Sequence, residues 1–354
     1  MHTSDVVIAG AGIIGLSLSI ELRRAGASVA VLDRGEPGRE ASSAAAGMLV
    51  ADDPDTDSKL KPLARMSASM YPAFVEDLEL CSGIDVELEN RGTLYIAQCA
   101  EEPPSTPLST ADLHELEPGL VELPQVCFLE EQTVDPRRLV QAALAAAKRM
   151  GIAVHHEARV ERVDIAATRD LEVRTSAGPY STATFVNCAG AWSGEIAGVS
   201  VPSRPVKGQM LTVIPQGCEL RHVVRSREVY LLPRKGGRIL IGATVEEAGF
   251  DKTVQPEAIQ KLHQAASNLV PWIGEAKMIE AWAGLRPGSP DGLPMIGAGP
   301  MPGTYVATGH FRNGILLAPI TAALMSDLIQ GRNSQTDLRP FSPSRFTGDR
   351  ALAG

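Results

Sequence analysis

The chain has 354 residues, of which 44% are hydrophobic and 21% are charged, and 42 acidic residues stand against 33 Lys and Arg. Such a composition is typical of a globular protein with a sizeable core, and the length favours two domains. The formal net charge of −9, without a run of Lys or Arg, speaks against binding of nucleic acid or an anionic membrane surface. Both partners need a concentrated positive patch.

The cysteines and the apolar segments favour a location in the cytoplasm. Five cysteines, at positions 81, 99, 127, 188 and 218, are an odd number without CxxC spacing, so we expect neither a disulfide framework nor a zinc site. The N-terminus lacks a basic segment before its apolar run, and residues 315–325 contain Pro319 and are too short to span a bilayer. The sequence therefore predicts a cytoplasmic protein without a metal or a membrane span.

The first 33 residues predict a strand–helix–strand unit. Residues 5–9 form a β-rich run that ends in glycines, and residues 13–25 are typical of a helix closed by Gly26. Residues 28–32 predict a second buried strand, which ends before Asp33. A strand–helix–strand unit implies a parallel sheet covered by helices.

The rest of the chain alternates between two patterns. Strands with one solvent-facing side are predicted at 86–88, at 93–97 and within 201–241, where the pattern is antiparallel. Further strands are predicted at 153–155, 160–163, 171–175, 184–188 and 304–308. Helices are predicted at 65–80, at 136–150 with Asp135 as the cap and Pro136 as the first helical residue, at 256–269 and at 314–330. A loop is predicted at 101–110 and a frayed polar tail from Arg332.

Gly10-Ala11-Gly12-Ile13-Ile14-Gly15 lies between the first strand and the first helix. The glycines permit a tight turn, close approach of a pyrophosphate and close helix packing, while the helix N-terminus offers N–H donors. Asp33 ends the next strand, where this fingerprint requires an acid for a ribose hydroxyl. We predict a dinucleotide site; a glycine-rich turn in an unrelated α/β fold explains neither the helix nor the acid.

Three further segments each admit two interpretations. Residues 41–48 are small and uncharged, and fit either a flat cofactor ring or an ordinary Ala-rich helix start. Residues 308–317 predict a glycine-flanked loop whose following helix either stabilises an anionic reduced flavin or is simply capped there. Arg286 lies in an apolar segment rich in Gly and Pro, and fits either a bound carboxylate or a structural ion pair.

Taken together, these segments resemble the FAD-dependent D-amino-acid oxidase and glycine oxidase family over nearly the whole chain. The resemblance is carried by GAGIIG at 10–15, SSAAAGML at 42–49, VDPRRLVQA at 134–142, VNCAGAWS at 186–193, RPVKGQ at 204–209, YLLPRKGGRILIGAT at 230–244, WAGLRPGSPDGLP at 282–294 and GHFRNGILLAP at 309–319.

The resemblance implies an α/β fold, α+β overall, in which two domains are interleaved. A Rossmann-type FAD-binding domain would comprise residues 1–80, 134–200 and 284–336, and an antiparallel-sheet substrate domain residues 81–133 and 201–283, with a tail at 337–354.

The resemblance also implies non-covalent FAD, because no Cys follows position 218 to provide the covalent link found in some relatives. The implied FAD contacts are Gly10, Gly12, Ile13, Ile14, Gly15, Asp33, Arg34, Ser42, Ser43, Ala46, Gly47, Met48, Val160, His310, Phe311, Arg312, Asn313, Gly314, Ile315 and Leu316.

The implied reaction is oxidative deamination of glycine or small D-amino acids. Hydride leaves the α-carbon for the flavin, the imino acid is hydrolysed, and O2 is reduced to hydrogen peroxide; a role in supplying dehydroglycine for the thiazole of thiamine is also implied. Arg286 would bind the substrate carboxylate with help from Tyr230 and Arg312, and no side chain is an evident catalytic base. The partners are the amino acid and O2, and a homo-oligomer is left open.

Two alternatives remain from the sequence. One is a dehydrogenase that passes electrons to a quinone or carrier, and the other is a flavin-binding subunit without turnover. Two positions and one segment also depart from the family pattern: Val245 replaces a frequent Met, Glu228 stands where His is expected, and residues 52–54 differ. We expect Val245 to widen the substrate pocket, so glycine, small D-amino acids and sarcosine all remain candidate substrates.

Overall fold

The computed structural model describes residues 2–97, 104–167, 170–333 and 336–346. Cys99, residues 101–103 of the predicted loop and residues 334–335 and 347–354 of the predicted tail lie outside these ranges. The α-helices span Ile13–Arg24, Ala41–Ala44, Lys61–Ser82, Thr110–Leu116, Pro136–Arg149, Pro256–Leu269 and Ala318–Ile329. Short 3-10 helices span Gly190–Trp192, Pro271–Glu275, Phe311–Asn313, Arg339–Phe341 and Pro343–Phe346.

A six-stranded sheet carries the first motif. Its spatial order is Met295–Ala298, Thr304–Thr308, Thr184–Asn187, Val6–Ala9, Val29–Leu32 and Ala153–His155. All neighbours are parallel except the antiparallel pair at the first edge. The central strands Val6–Ala9 and Val29–Leu32 are buried along their whole length, as their continuous apolar runs require.

A seven-stranded sheet forms the second layer. Its order is Lys277–Gly288, Arg204–Ile214, Arg238–Gly242, Tyr230–Arg234, Val223–Arg225, Thr93–Ile96 and Val126–Leu129. The predicted antiparallel pattern is confirmed for these strands, apart from the parallel pair Val223–Arg225 and Thr93–Ile96. The predicted boundary between the substrate domain and the FAD-binding domain, at residues 283 and 284, lies within the Lys277–Gly288 strand.

Two smaller sheets complete the fold. One has the order His2–Thr3, Tyr180–Thr182, Leu171–Thr175 and Val160–Ile165, and the other pairs Met48–Leu49 with Gln132–Thr133. In the part of the chain that the structure describes, no helix combines the length and the apolar character needed to cross a membrane.

Each large sheet has its own apolar core. One core packs the six-stranded sheet against the helices Ile13–Arg24, Lys61–Ser82, Pro136–Arg149 and Ala318–Ile329. The other lies between the seven-stranded sheet and the helix Pro256–Leu269. Asp135 caps the Pro136–Arg149 helix by accepting hydrogen bonds from the Arg137 and Arg138 amides, as the Asp-Pro pair predicts.

Three local predictions were wrong. Residues 86–88 form no strand, because Glu87 has a φ of +59°, outside the extended region. The predicted loop is confirmed at residues 104–109, but the helix Thr110–Leu116 that follows was not predicted; the Ser109 side chain accepts the Asp112 amide at its start. The predicted helix from 314 begins only at Ala318, since Pro319 fits the first turn of a helix and not its interior. The tail is not frayed at residues 338–346, where Phe341 is only 2% exposed.

Candidate active site

A cavity of about 1000 Å³ lies where the carboxyl ends of the parallel strands meet the seven-stranded sheet. Its wall includes Gly10, Asp33 and His310 from the first layer and Tyr230 and Arg286 from the second. In open α/β sheets, ligands bind beyond the carboxyl ends of the strands, which is where this cavity begins.

In the glycine turn at the cavity, positions 10 and 15 have no room for a side chain. Gly10 has a φ of +103°, and a Cβ there would lie 2.3 Å from the carbonyl oxygen of Cys188. A Cβ on Gly15 would lie 2.0 Å from the carbonyl oxygen of Gly10, so Gly15 serves the packing of helix on turn. Within the described residues, the amides of Gly12 and Ile14 donate no hydrogen bond, which leaves them for a ligand.

Asp33 braces this turn and still reaches the cavity. Its carboxylate accepts the Ala11 amide at 2.7 Å and the Gly35 amide at 2.9 Å. Burial raises the pKa of Asp33, and these two hydrogen bonds oppose that rise. Ser42, on the short Ala41–Ala44 helix, accepts the Ile13 amide at 3.0 Å and so ties the small-residue segment to the turn.

The C-terminal loop forms another wall. Its His310 is only 3% exposed, its Nε2 lies 3.1 Å from Thr321 Oγ1, and burial lowers its pKa to about 4, so the imidazole is neutral. The helix Lys61–Ser82 clamps the loop: Tyr71 Oη donates to the Ile315 carbonyl and Ser67 Oγ to the Leu316 carbonyl, both at 2.6 Å. The amides of Gly314 and Ile315 donate no hydrogen bond within the described residues.

Arg286 is the central cation of the opposite wall. Its Nη1 donates to the Thr244 carbonyl at 3.0 Å and to the Lys207 carbonyl at 3.4 Å. The guanidinium lies flat on Gly208, where a Cβ would come within 2.2 Å of Nη1. Among the described residues no carboxylate lies within 4.0 Å of it, and burial lowers its pKa. A charge desolvated without an ionic partner favours an anionic ligand.

Tyr230 and Arg312 flank this cation. Tyr230 pairs with Gly242 across neighbouring strands and donates from Oη to Met210 Sδ at 3.0 Å. Burial raises the pKa of Tyr230 to about 12 although the charges of Arg286 and Arg312 oppose the rise. Arg312 is exposed on the C-terminal loop, where its guanidinium lies 5.5 Å from the centre of the Phe311 ring.

Comparison with known proteins identifies the family of the chain. Residues 5–328 match the family described as FAD dependent oxidoreductase, DAO. The chain belongs to this FAD-dependent oxidoreductase family.

Relatives support the same assignment along the chain. The glycine oxidase of Geobacillus kaustophilus is 34% identical over 372 aligned residues, which cover 98% of each chain. The bifunctional protein ThiO/ThiG of Trichormus variabilis is 36% identical over 97% of this chain, but the chain spans only 55% of its length. The crystal structure of the Geobacillus kaustophilus enzyme superposes with a TM-score of 0.92 at 33% identity, covering 98% of this chain and 99% of that one.

FAD is the cofactor of this FAD-dependent oxidoreductase, and the residues of the cavity fit it. The glycine turn brings unpaired amides to a site free of side chains, as a pyrophosphate requires, and Asp33 presents a carboxylate oxygen for a ribose. The unpaired amides of Gly314 and Ile315 lie at the other side of the same cavity, where they suit the electron-rich edge of a flavin.

Most of the predicted site residues line this one cavity. The structure places there Gly10, Gly12, Ile13, Ile14, Asp33, Arg34, Ser42, Ala46, Gly47, Met48, Val160, Tyr230, Val245, Arg286, His310, Phe311, Arg312, Asn313, Gly314 and Ile315. Gly15, Ser43 and Leu316 do not line it. Ser43 Oγ instead donates to the Glu40 carbonyl, and the Leu316 side chain is buried in the core.

Sequence reasoning missed residues that shape the substrate side. Gly208 and Met210 also line the cavity, and they come from the strand that pairs with the Arg286 strand. Gly208 lies in the RPVKGQ segment already noted, but its purpose depends on the guanidinium that lies over it. Arg225, which is buried and paired with Asp53 at 2.6 Å and Glu131 at 3.0 Å, joins the loop at 52–54 to this wall.

Proposed function

We propose that this FAD-dependent oxidoreductase is a glycine oxidase that also accepts small D-amino acids. The observation that carries the proposal is the desolvated Arg286, which has no carboxylate within 4.0 Å among the described residues and faces the cavity that fits FAD. The glycine oxidase relatives, aligned over nearly the whole chain, support this choice of substrate.

The chain's own residues would bind and orient the substrate. Arg286 offers a planar fork that matches a carboxylate, and its flat contact with Gly208 fixes the plane of that fork. Tyr230 and Arg312 lie near enough to Arg286 to interact with it electrostatically, and they complete the recognition of the carboxylate. When bound, FAD supplies the acceptor for hydride and the reaction with O2.

The protonation state that controls the reaction is that of the substrate amine. Tyr230, with a pKa of about 12, and His310, with a pKa of about 4, keep the same charge between pH 6 and 10. Neither is suited to act as a base in that range, and if hydride leaves the α-carbon directly, the substrate amine must be neutral to react. We expect kcat/KM for glycine to rise with pH until the amine is deprotonated.

The product side points to a biosynthetic use. Oxidation of glycine gives the imino acid dehydroglycine, which would supply the thiazole of thiamine, and one relative of the chain is the bifunctional protein ThiO/ThiG. The proposal leaves hydrolysis as the fate of any imino acid that is not captured.

A substrate panel tests the proposed function. Purified holoenzyme is incubated with glycine, sarcosine, D-alanine, D-proline and L-alanine, and both hydrogen peroxide and O2 uptake are measured. Peroxide from glycine supports the proposal. Turnover seen only with an artificial electron acceptor would instead show a dehydrogenase, and bound FAD without turnover of any substrate would show a flavin-binding subunit.

A further inference from the structure

A carboxylate lies behind Arg286 without touching the cavity. Glu246 belongs to the segment that follows the Arg238–Gly242 strand, and its side chain is 27% exposed. It is not among the residues of the cavity wall, although its neighbour Val245 is. Glu246 therefore does not contact a ligand in the cavity directly.

The backbone around Glu246 is laid against the strand that supports Arg286. The Glu246 amide donates to the Lys207 carbonyl and the Lys207 amide to the Glu246 carbonyl, both at 2.9 Å. Two residues along, the Thr244 amide donates to the Gln209 carbonyl at 3.2 Å. The carbonyls of Thr244 and Lys207 are the two acceptors that hold Arg286 Nη1. This short ladder therefore sets the position of both acceptors.

The Glu246 carboxylate ties the ladder together from the side. Its Oε1 accepts from Gln209 Nε2 at 2.8 Å and from the Thr244 hydroxyl. The same Thr244 hydroxyl oxygen accepts the Gln209 amide at 2.8 Å, so one carboxylate oxygen links both strands of the ladder. Gln209 is fully buried and has its other end fixed, since its Oε1 accepts the Gln255 amide at 2.7 Å.

The negative charge of Glu246 lies close to the positive charge of Lys207. The ammonium of the fully buried Lys207 lies 3.9 Å from Glu246 Oε2 and 3.8 Å from Asp251 Oδ2, and it donates to the Thr253 carbonyl at 2.6 Å. Burial raises the pKa of Glu246, but hydrogen bonds from Thr244 and Gln209 and the charges of Lys207 and Arg286 outweigh it, so its pKa lies below the ordinary range. The carboxylate is thus ionised at neutral pH.

We propose that Glu246 is a positioning residue for substrate binding: with Gln209 and Thr244 it fixes the carbonyl acceptors that orient the Arg286 guanidinium toward the substrate carboxylate. The proposal rests on the proposed role of Arg286. It gives Glu246 no contact with the substrate, the cofactor or the reacting atoms.

The test compares Glu246→Ala and Glu246→Gln with a neighbour. Glu247→Ala is the matched control, because Glu247 has a side chain 65% exposed and pairs only with Arg204 among the described residues. Acetate, as a simple carboxylate, is titrated into each oxidised holoenzyme, and its dissociation constant is read from the change in the flavin absorption. FAD content, the thermal midpoint and KM and kcat for glycine are measured on the same preparations.

For Glu246→Ala we expect acetate binding and KM to weaken by about tenfold, the loss of roughly one hydrogen bond to a charged group, with kcat changed far less. Glu246→Gln keeps an acceptor for Gln209 but loses the charge, so its affinity for acetate should fall between those of Glu246→Ala and wild type, and Glu247→Ala should match wild type. If Glu246→Ala is poorly folded, Glu246→Gln alone must still show weaker acetate binding than Glu247→Ala.

Three outcomes would overturn the proposal. The first is acetate affinity in both Glu246 variants that equals wild type. The second is an equal loss in Glu247→Ala, and the third is a loss that follows FAD content alone. Since acetate binding needs no turnover, the failure of glycine oxidation in wild type would refute the proposed function and leave the comparison of acetate affinities to decide the role of Glu246.

Discussion

The two sides of the cavity are built in different ways. On the cofactor side, a turn of six consecutive residues and the end of the next strand supply unpaired backbone amides and one carboxylate. On the substrate side, Arg286, Gly208 and Tyr230 come from three strands of one sheet and meet only through strand register. Backbone donors survive most side-chain changes, whereas a site made of a few side chains depends on each of them. Substitutions should therefore separate the two sides cleanly.

The largest effect is expected at Arg286. Arg286→Ala removes the partner of the substrate carboxylate, which costs about 2–5 kcal/mol, so kcat/KM for glycine should fall by about thirtyfold or more. Tyr230→Phe loses one neutral hydrogen bond of about 0.5–1.5 kcal/mol and should cost about tenfold at most. Steady-state kinetics measure both, with FAD content as the control. Near-normal kinetics in Arg286→Ala would contradict the carboxylate assignment.

His310, on the C-terminal loop that lines the cavity, should make the stability of the protein depend on pH. Its folded pKa of about 4 lies below the ordinary value of 6.5, so below pH 6.5 the unfolded chain binds a proton that the folded protein excludes. The folded state should lose stability as the pH falls from 6.5 to 4, by about 3 kcal/mol in total.

The measurement is the free energy of unfolding of FAD-saturated protein at pH 6.5 and pH 4.5. His310→Asn should reduce the drop between the two values, while His156→Asn, at an exposed position, should leave it unchanged. An identical drop in wild type and His310→Asn would show that His310 does not carry this pH dependence.

Asp33 should affect the cofactor alone. Asp33→Asn weakens hydrogen bonds to a charged carboxylate, worth about 1.5–3 kcal/mol, so the dissociation constant for FAD should rise by about tenfold to a hundredfold. At saturating FAD, KM for glycine should stay unchanged. Fluorescence titration of the apoprotein with FAD measures the effect, and Glu36→Gln, with a side chain 74% exposed, serves as the control. A raised KM for glycine would show that the two sides are coupled.

The smallest effect is expected at Val245. The longer Met in Val245→Met should narrow the space beside a substrate side chain and lower the ratio of kcat/KM for D-alanine over glycine. Because Val245 is 50% exposed, the change should be about threefold, less than a fully buried methylene gives. A ratio that is unchanged or higher in the variant would remove position 245 from the substrate pocket.

Much of the cofactor side could be predicted because its signals are local. The strand Val6–Ala9, the turn at Gly10 and the helix Ile13–Arg24 follow one another within 20 residues, and each has its own pattern. The helix Pro256–Leu269 was likewise predicted with its exact bounds from its apolar spacing. The α/β fold, the family and the FAD cofactor are also confirmed. They could be predicted because each motif that carries them is a short run of consecutive residues.

What the sequence by itself determined is thus the elements, the dinucleotide fingerprint and the presence of one Arg in an apolar segment. Tertiary structure alone decided that Arg286 has no carboxylate within 4.0 Å among the described residues, that Gly208 lies against it, and that Glu246 accepts a hydrogen bond from Thr244, whose carbonyl holds Arg286. These facts depend on which strands pair and in which register. Pairing joins residues that are as far apart as Lys207 and Leu285, and no local pattern in the sequence encodes that contact.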